Sequence, residues 1–94
     1  ITGGGLIDNL PRVLPADYDA RIDATTWKLP PVFRLIRDGG GVNAIEMYQV
    51  FNMGIGMVLV VADADADAVC KQTKGRIIGD IVPGDCAVRI ALHD

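Results

Sequence analysis

The chain has 94 residues, half of them hydrophobic, and a formal net charge of −3. Disordered segments are poor in aliphatic residues, and nucleic-acid-binding surfaces need a basic stripe that displaces counterions from phosphates, so the composition excludes disorder and a nucleic-acid partner. No apolar run reaches the roughly 18–20 residues that cross a bilayer, and we expect no membrane partner. The high hydrophobic content of so short a chain predicts apolar surface that a neighbour covers.

A glycine-rich opening leads into the first predicted helix. Leu6 and Leu10 lie one helical turn apart, which predicts a helix over residues 4–10. Pro11 ends it in a kinked turn, because proline inside a helix removes a hydrogen bond and clashes with the preceding turn. Residues 18–23 then alternate apolar and polar side chains and are predicted to form a short strand.

Two further helices are predicted in the middle of the chain. A proline pair precedes residues 32–38 and three glycines follow them, which is typical of a helix start and a helix end. Asn43 and Glu46 have the spacing of a capping box, in which each side chain satisfies an amide of the other's turn. The second helix is therefore predicted over residues 44–51.

The second half of the chain is predicted to supply most of the sheet. Residues 54–62 are apolar on both alternating faces, as in a strand that is covered on both sides, and we expect this strand in the middle of the sheet. A helix over residues 64–73 with Asp63 as its cap follows. Strands over residues 76–82 and 86–92 close the chain.

The chain end completes the predicted fold class. Residues 82–85, Val-Pro-Gly-Asp, predict a type II turn between the last two strands. The last strand is expected to point its apolar side chains inward and Arg89 outward. Residues 1–94 are therefore predicted to form one α+β unit, with helices packed on a mostly antiparallel or mixed sheet. Cys70 and Cys86 match no metal or disulfide pattern and are expected to be reduced, partly buried thiols.

A glycine-rich turn before the first helix is the strongest local candidate for a binding site. In such a turn backbone amides converge on an anion, and the helix dipole adds partial positive charge, so phosphate is the expected ligand. The pattern leaves a purely steric role for the glycines open, and it matches neither a Walker loop nor a dinucleotide fingerprint. The candidate residues are those of the turn and two polar side chains after it: Thr2, Gly3, Gly4, Gly5, Asn9 and Arg12.

No other pattern predicts a metal or a catalytic group. The run from Asp63 to Asp67 resembles the start of a calcium loop, but Ala68 and Lys74 stand where that loop needs glycine and a carboxylate. Asn52 either caps the preceding helix or points into a site. His93 lies at the terminus and is given no catalytic role, so no catalytic residue and no metal ligand is predicted.

Two long segments resemble the AIR synthetase family, the phosphoribosylformylglycinamidine cyclo-ligases. Residues 1–15, ITGGGLIDNLPRVLP, are similar to the signature that opens the last part of that family, and residues 46–57, EMYQVFNMGIGM, resemble its second signature. The Trp-x-x-Pro-x-x-Phe pattern of residues 27–33 and the Ile-Gly pair of residues 78–79 also match. The segment between residues 68 and 76 is shorter than usual in the family.

The resemblance implies an ATP-dependent ring closure in purine biosynthesis, from formylglycinamidine ribonucleotide to aminoimidazole ribonucleotide. In this family ATP and Mg²⁺ are bound mainly by an N-terminal domain, which these 94 residues do not include, nor the first half of the C-terminal domain. By that resemblance the glycine turn, with Thr2, holds the 5′-phosphate of the ribonucleotide, and Asn9 and Arg12 support it.

The resemblance also predicts that the chain is a partial C-terminal domain of a cytoplasmic homodimer. Because the chain begins with Ile1 rather than methionine, we expect it to be cut from a longer polypeptide, inactive alone and prone to self-association through an apolar strand edge. Two alternatives of other classes stay open. One is a stand-alone phosphate- or nucleotide-binding lobe without catalysis, and the other is a dimerisation module.

Overall fold

The structure is a computed structural model that describes residues 1–92. Its elements in chain order are the helices and strands α1 (Gly5–Asn9), β1 (Tyr18–Asp23), α2 (Pro31–Gly40), α3 (Ala44–Val50), α4 (Ala66–Thr73), β2 (Gly79–Pro83) and β3 (Val88–Ala91). Short 3₁₀ turns cover Leu10–Arg12, Ala24–Thr26 and Asp63–Asp65. The predicted α+β class is confirmed. The expectation for His93 lies outside the described residues.

The first half of the chain follows its local signals. Pro11 sits in the 3₁₀ turn after α1, where its missing amide costs no helical hydrogen bond. Helix α2 runs through Gly39 and Gly40, which were expected to follow it, and its C-cap is Gly41, whose φ of 62° is the left-handed conformation that glycine adopts without strain. Asn43 caps α3 by accepting a hydrogen bond from the Ile45 amide at 2.9 Å. These three helices are therefore predictable from residues next to their ends.

The sheet is mixed, with strand order β2-β1-β3. Strand β1 pairs antiparallel with β2 and parallel with β3, with Ala20 opposite both Ile81 and Val88. Strands β2 and β3 therefore do not pair with each other. Both are shorter than the strands predicted over residues 76–82 and 86–92. Their connection passes around the N-terminal end of β1, which separates them.

The predicted type II turn at residues 82–85 is wrong. Pro83 still belongs to β2, and Gly84 is not in the left-handed conformation that the third position of this turn requires. The Gly84 amide donates to the carbonyl of Asp17 at 2.8 Å, and the Cys86 amide donates to the carbonyl of Tyr18 at 3.0 Å. The connection is therefore fastened to the start of β1 instead of closing a hairpin.

The buried Asp19 side chain organises this connection. One carboxylate oxygen accepts hydrogen bonds from the amides of Asp85 at 2.9 Å and Ala87 at 2.8 Å, and the other accepts from Arg89 at 3.4 Å. A side chain at Gly84 has no room, because its Cβ atom would lie 2.1 Å from the Asp19 carboxylate carbon. Amide donors to the charged form lower the pKa of Asp19, those of Ala87 and Asp85 first. Nothing local in the sequence indicates this role.

Two predictions for residues 54–66 are also wrong. Residues 55–62 form no strand, and most of them are exposed, with Met57 at 80% and Leu59 at 54%. A central strand needs a neighbour on each side, and residues 1–92 place none beside this segment. Asp63 does not cap α4, because a 3₁₀ turn intervenes and α4 begins only at Ala66.

The core lies between α1, α3 and one face of the sheet. Helices α1 and α3 pack against each other, and α2 adds Phe33, whose ring centroid is 5.9 Å from that of Phe51. Val88 and Ile90 of β3 and Cys86 before it contact this core, as predicted, but Leu92, which was also expected to point inward, is 39% exposed. Both cysteines are free and partly buried. The buried hydrophobic residues are Leu6, Leu10, Leu14, Ala20, Ile22, Met47, Tyr48 and Met53. The glycine turn is held at the edge of this core by α1.

Candidate functional site

The glycine-rich segment folds as a tight turn. The Gly5 amide donates to the Thr2 carbonyl at 3.0 Å, and Gly4 has φ 98° and ψ −11°, as at the third position of a type II turn. Gly5 is also left-handed, with φ 60°. Within residues 1–92 the amides of Gly3 and Gly4 donate to no backbone acceptor. Gly3 is exposed and Gly4 is half-buried. Two amides of the turn are thus available to a ligand.

Asn9 holds this turn from within α1. Its side-chain amide nitrogen lies 2.8 Å from the carbonyl oxygen of Gly5, 3.2 Å from that of Thr2 and 3.4 Å from that of Gly3. An amide group has only two hydrogens to donate, so these carbonyls occupy both. Asn9 therefore positions the turn, and its predicted support of a phosphate stays a prediction.

The second sequence motif packs directly against the first. A Cβ atom at Gly5 would lie 2.1 Å from the carbonyl oxygen of Tyr48 and 2.6 Å from that of Phe51, so only glycine fits here. The amino group of Ile1 donates to the carbonyl of Gly56. The fold thus brings residues 1–5 and residues 48–56 to one place, although they are far apart in sequence.

Asn52 and Trp27 hold the loop of the second motif. The Asn52 side-chain oxygen accepts a hydrogen bond from the Gly54 amide at 2.8 Å, and the Trp27 indole donates to the Met53 carbonyl at 3.0 Å. Gly54 is left-handed, with φ 96°, and a Cβ atom there would lie 2.7 Å from Pro30. Asn52 therefore forms a turn within its own loop after α3. Trp27 and Pro30, which the sequence placed in one pattern, meet at this loop.

Charged groups around the turn are of both signs. Arg12 is exposed at the end of the 3₁₀ turn after α1 and makes no hydrogen bond or ion pair within the described part of the chain. The Asp8 side chain stands beside Gly4, where a Cβ atom would lie 2.6 Å from that of Asp8. The sequence analysis placed Asp8 only on the polar face of the helix. Its position four residues after Gly4 could have indicated that the two lie close together. An anion at this turn therefore needs a cation to offset Asp8.

Residues 1–92 offer neither a metal site nor an evident base. They contain no group of three His, Cys, Asp or Glu side chains that could hold a metal ion, and we assign no step to a metal on this chain. Burial raises the pKa of the Tyr48 phenol, although the charge of Arg37 opposes this, so Tyr48 stays protonated at neutral pH. In the same range no helix is both long and apolar enough to span a membrane.

The contacts of Asn9 predict that Asn9→Asp will destabilise the chain. A carboxylate cannot donate to the three carbonyls and would repel them, and an unsatisfied group of this kind costs about 1–3 kcal/mol. We expect the midpoint of urea unfolding to fall, and to recover partly at low pH, where the introduced carboxyl group regains a proton to donate. The matched control is Asn52→Asp, because its oxygen is an acceptor and a carboxylate keeps that role. Equal losses in both variants would contradict the assignment.

Residues 1–90 match the family described as "AIR synthase related protein, C-terminal domain". Curated relatives include the phosphoribosylformylglycinamidine cyclo-ligases of Aromatoleum aromaticum, 49% identical over 82 residues, and of Neisseria gonorrhoeae, 55% identical over 76 residues. These alignments cover 87% and 81% of this chain, but 23% and 22% of the relatives. The protein of that name from Pseudothermotoga lettingae is 43% identical over an alignment of 95 positions, which covers 96% of this chain and 28% of the relative. The chain spans about a quarter of the length of these relatives.

Proposed function

The chain belongs to the family of AIR synthase related proteins, because residues 1–90 match the C-terminal domain of that family. We propose that it is part of a phosphoribosylformylglycinamidine cyclo-ligase. In the proposed reaction ATP transfers a phosphoryl group to the formyl oxygen of formylglycinamidine ribonucleotide. The amidine nitrogen then attacks that carbon, the imidazole ring closes and phosphate leaves. The match over residues 1–90 carries this proposal, together with relatives of that activity at 43–55% identity.

We assign to this chain the binding of the ribonucleotide 5′-phosphate at the glycine turn. The amides of Gly3, which is exposed, and Gly4, which is half-buried, supply two donors. The Thr2 hydroxyl, which donates to the Asn9 side-chain oxygen at 3.4 Å, is the third candidate donor. Arg12 supplies the positive charge that offsets Asp8. The phosphate is bound far from the reacting carbon, and a contact that is equally strong in the ground and transition states lowers KM and leaves kcat unchanged.

The other parts of the reaction are proposed to lie outside these 94 residues. ATP and Mg²⁺ are assigned to the part of the enzyme that precedes this domain, and no residue described above is given a role in phosphoryl transfer. The chain alone is therefore proposed to be inactive. A homodimer in the cytoplasm is proposed for the whole enzyme, by likeness to the family.

A kinetic comparison of two arginine variants tests the phosphate assignment. In the full-length enzyme Arg12→Ala is expected to raise KM for the ribonucleotide roughly 10- to 150-fold, since a charge-assisted contact contributes about 1.5–3 kcal/mol. The kcat value and KM for ATP should change little, because the contact is made equally in ground and transition states. The control is Arg34→Ala, because Arg34 is also an exposed arginine but lies on α2.

Two outcomes speak against the proposal. An unchanged KM for the ribonucleotide in Arg12→Ala removes that residue from the site. A wild-type enzyme that forms no aminoimidazole ribonucleotide from ATP and formylglycinamidine ribonucleotide removes the proposed activity itself.

A further inference from the structure

The glycine turn carries a hydrogen-bond acceptor beside its two unused donors. The exposed Asp8 side chain stands against Gly4, where its Oδ2 atom would lie 2.9 Å from an added Cβ atom. A Cβ atom is about 2.5 Å from the amide nitrogen of its own residue. The Asp8 carboxylate and the Gly4 amide are therefore less than about 6 Å apart, and one small ligand can contact both.

Nothing in the described part of the chain uses the Asp8 carboxylate. Within residues 1–92 it accepts no hydrogen bond, and it belongs to none of the ion pairs. Arg12 follows it at the spacing of a helical ion pair, but the 3₁₀ turn Leu10–Arg12 replaces the helix there, and the two side chains do not pair. The carboxylate is therefore available to a ligand.

Inorganic phosphate matches the donors of this turn but not its acceptor. A phosphate group carries about −1.5 to −2 charges at neutral pH, so the nearby carboxylate repels it. A ligand that also carries hydroxyl groups differs, because an O–H group donates to a carboxylate in a charge-assisted hydrogen bond. The combination of amides and carboxylate thus fits a phosphate ester of a sugar better than the free ion.

We propose that Asp8 determines the specificity of the phosphate site proposed above, on which this inference rests, by accepting a hydrogen bond from a ribose hydroxyl of the ribonucleotide. Arg12 offsets the charge of Asp8 for every phosphate alike, and only a ligand with a sugar hydroxyl also gains from the carboxylate. The proposed reaction releases phosphate. Asp8 therefore reduces competition between that released ion and the next substrate molecule.

Competitive inhibition measures this preference. Ribose 5-phosphate and inorganic phosphate are compared as inhibitors against the ribonucleotide, at saturating ATP, in the full-length enzyme and in its Asp8→Ala variant. The wild type is expected to bind ribose 5-phosphate at least about tenfold more tightly than inorganic phosphate, and the variant should lose at least about tenfold of that preference. The inhibition constant of inorganic phosphate should itself fall in Asp8→Ala, because the repulsion is removed. Damage to the turn would raise it.

A matched control and the pattern of the two constants separate the role of Asp8 from the phosphate site itself. Asp67→Ala removes an exposed aspartate from α4 and should keep the wild-type preference. An unchanged preference in Asp8→Ala, or an equal loss of affinity for both compounds, would overturn the role of Asp8 and leave the phosphate site in place. If neither compound competes with the ribonucleotide, the phosphate site is wrong, and so is the role of Asp8.

Discussion

Gly5→Ala is expected to destabilise the folded state of this chain by several kcal/mol. The added Cβ atom would lie 2.1 Å from the Tyr48 carbonyl oxygen and 2.6 Å from that of Phe51, and both are backbone atoms that a rotamer change cannot move. The left-handed φ of 60° adds about 1–2 kcal/mol for a residue with a side chain. Together with overpacking of about 1–3 kcal/mol, the loss is a large part of the roughly 5–15 kcal/mol that stabilises a small domain.

The measurement for Gly5→Ala is urea unfolding followed by circular dichroism, with Gly3→Ala as the control. A Cβ atom at Gly3 meets nothing within 4 Å, and its φ is not left-handed. Gly3→Ala should therefore keep the wild-type midpoint while Gly5→Ala unfolds at a much lower urea concentration. A folded Gly5→Ala variant with the wild-type midpoint would contradict the close packing of the turn against α3.

Asp19→Ala is expected to lower the melting temperature by roughly 5–10 °C, because it leaves the Asp85 and Ala87 amides without their acceptor. The control is Asp17→Ala: Asp17 contributes its backbone carbonyl to the Gly84 amide, and its side chain is not needed for that bond. It should melt within a degree or two of the wild type, by the usual behaviour of exposed positions.

The pH dependence of stability provides an independent measure of the same contact. The folded-state pKa of Asp19 is lowered, so its contribution is complete above the ordinary carboxyl pKa and is lost as the pH falls through the folded value. The melting temperature of the wild type should therefore fall below about pH 4, and that of Asp19→Ala should fall less. The curve of the variant keeps some slope, because the Arg21 hydrogen bond also lowers the pKa of Asp80. If the melting temperatures of the wild type and Asp19→Ala fall in parallel as the pH is lowered, these hydrogen bonds do not lower the pKa of Asp19.

The helices were predictable because their signals are local. The Asn43 cap, the proline pair before α2 and the glycine after it act on residues within one helical turn, and the structure uses each of them. The same holds for β1, whose alternation matches the observed strand Tyr18–Asp23. The glycine turn belongs to this group, since two positive φ angles require glycine directly.

The sheet order and the inner structure of the site were not predictable, because both depend on contacts between distant residues. Turn chemistry indicated a hairpin at residues 82–85, but Asp19 accepts the amides of that connection across more than sixty positions of sequence. Asn9 was expected to support a ligand, and only the geometry shows that three carbonyls engage its amide group. The apolar pattern of residues 54–62 indicated a buried central strand, but the described residues neither pair with this segment nor cover most of it.

The position of β1 between two strands from the far end of the chain has a consequence for biosynthesis. Strand β1 occupies residues 18–23, but both of its hydrogen-bonding partners lie within residues 79–91. During translation neither edge of β1 can therefore pair until its partners, which begin more than fifty positions after β1 ends, have left the ribosome. Pairings of such long sequence separation form slowly, and the nascent chain carries an unprotected strand throughout that delay.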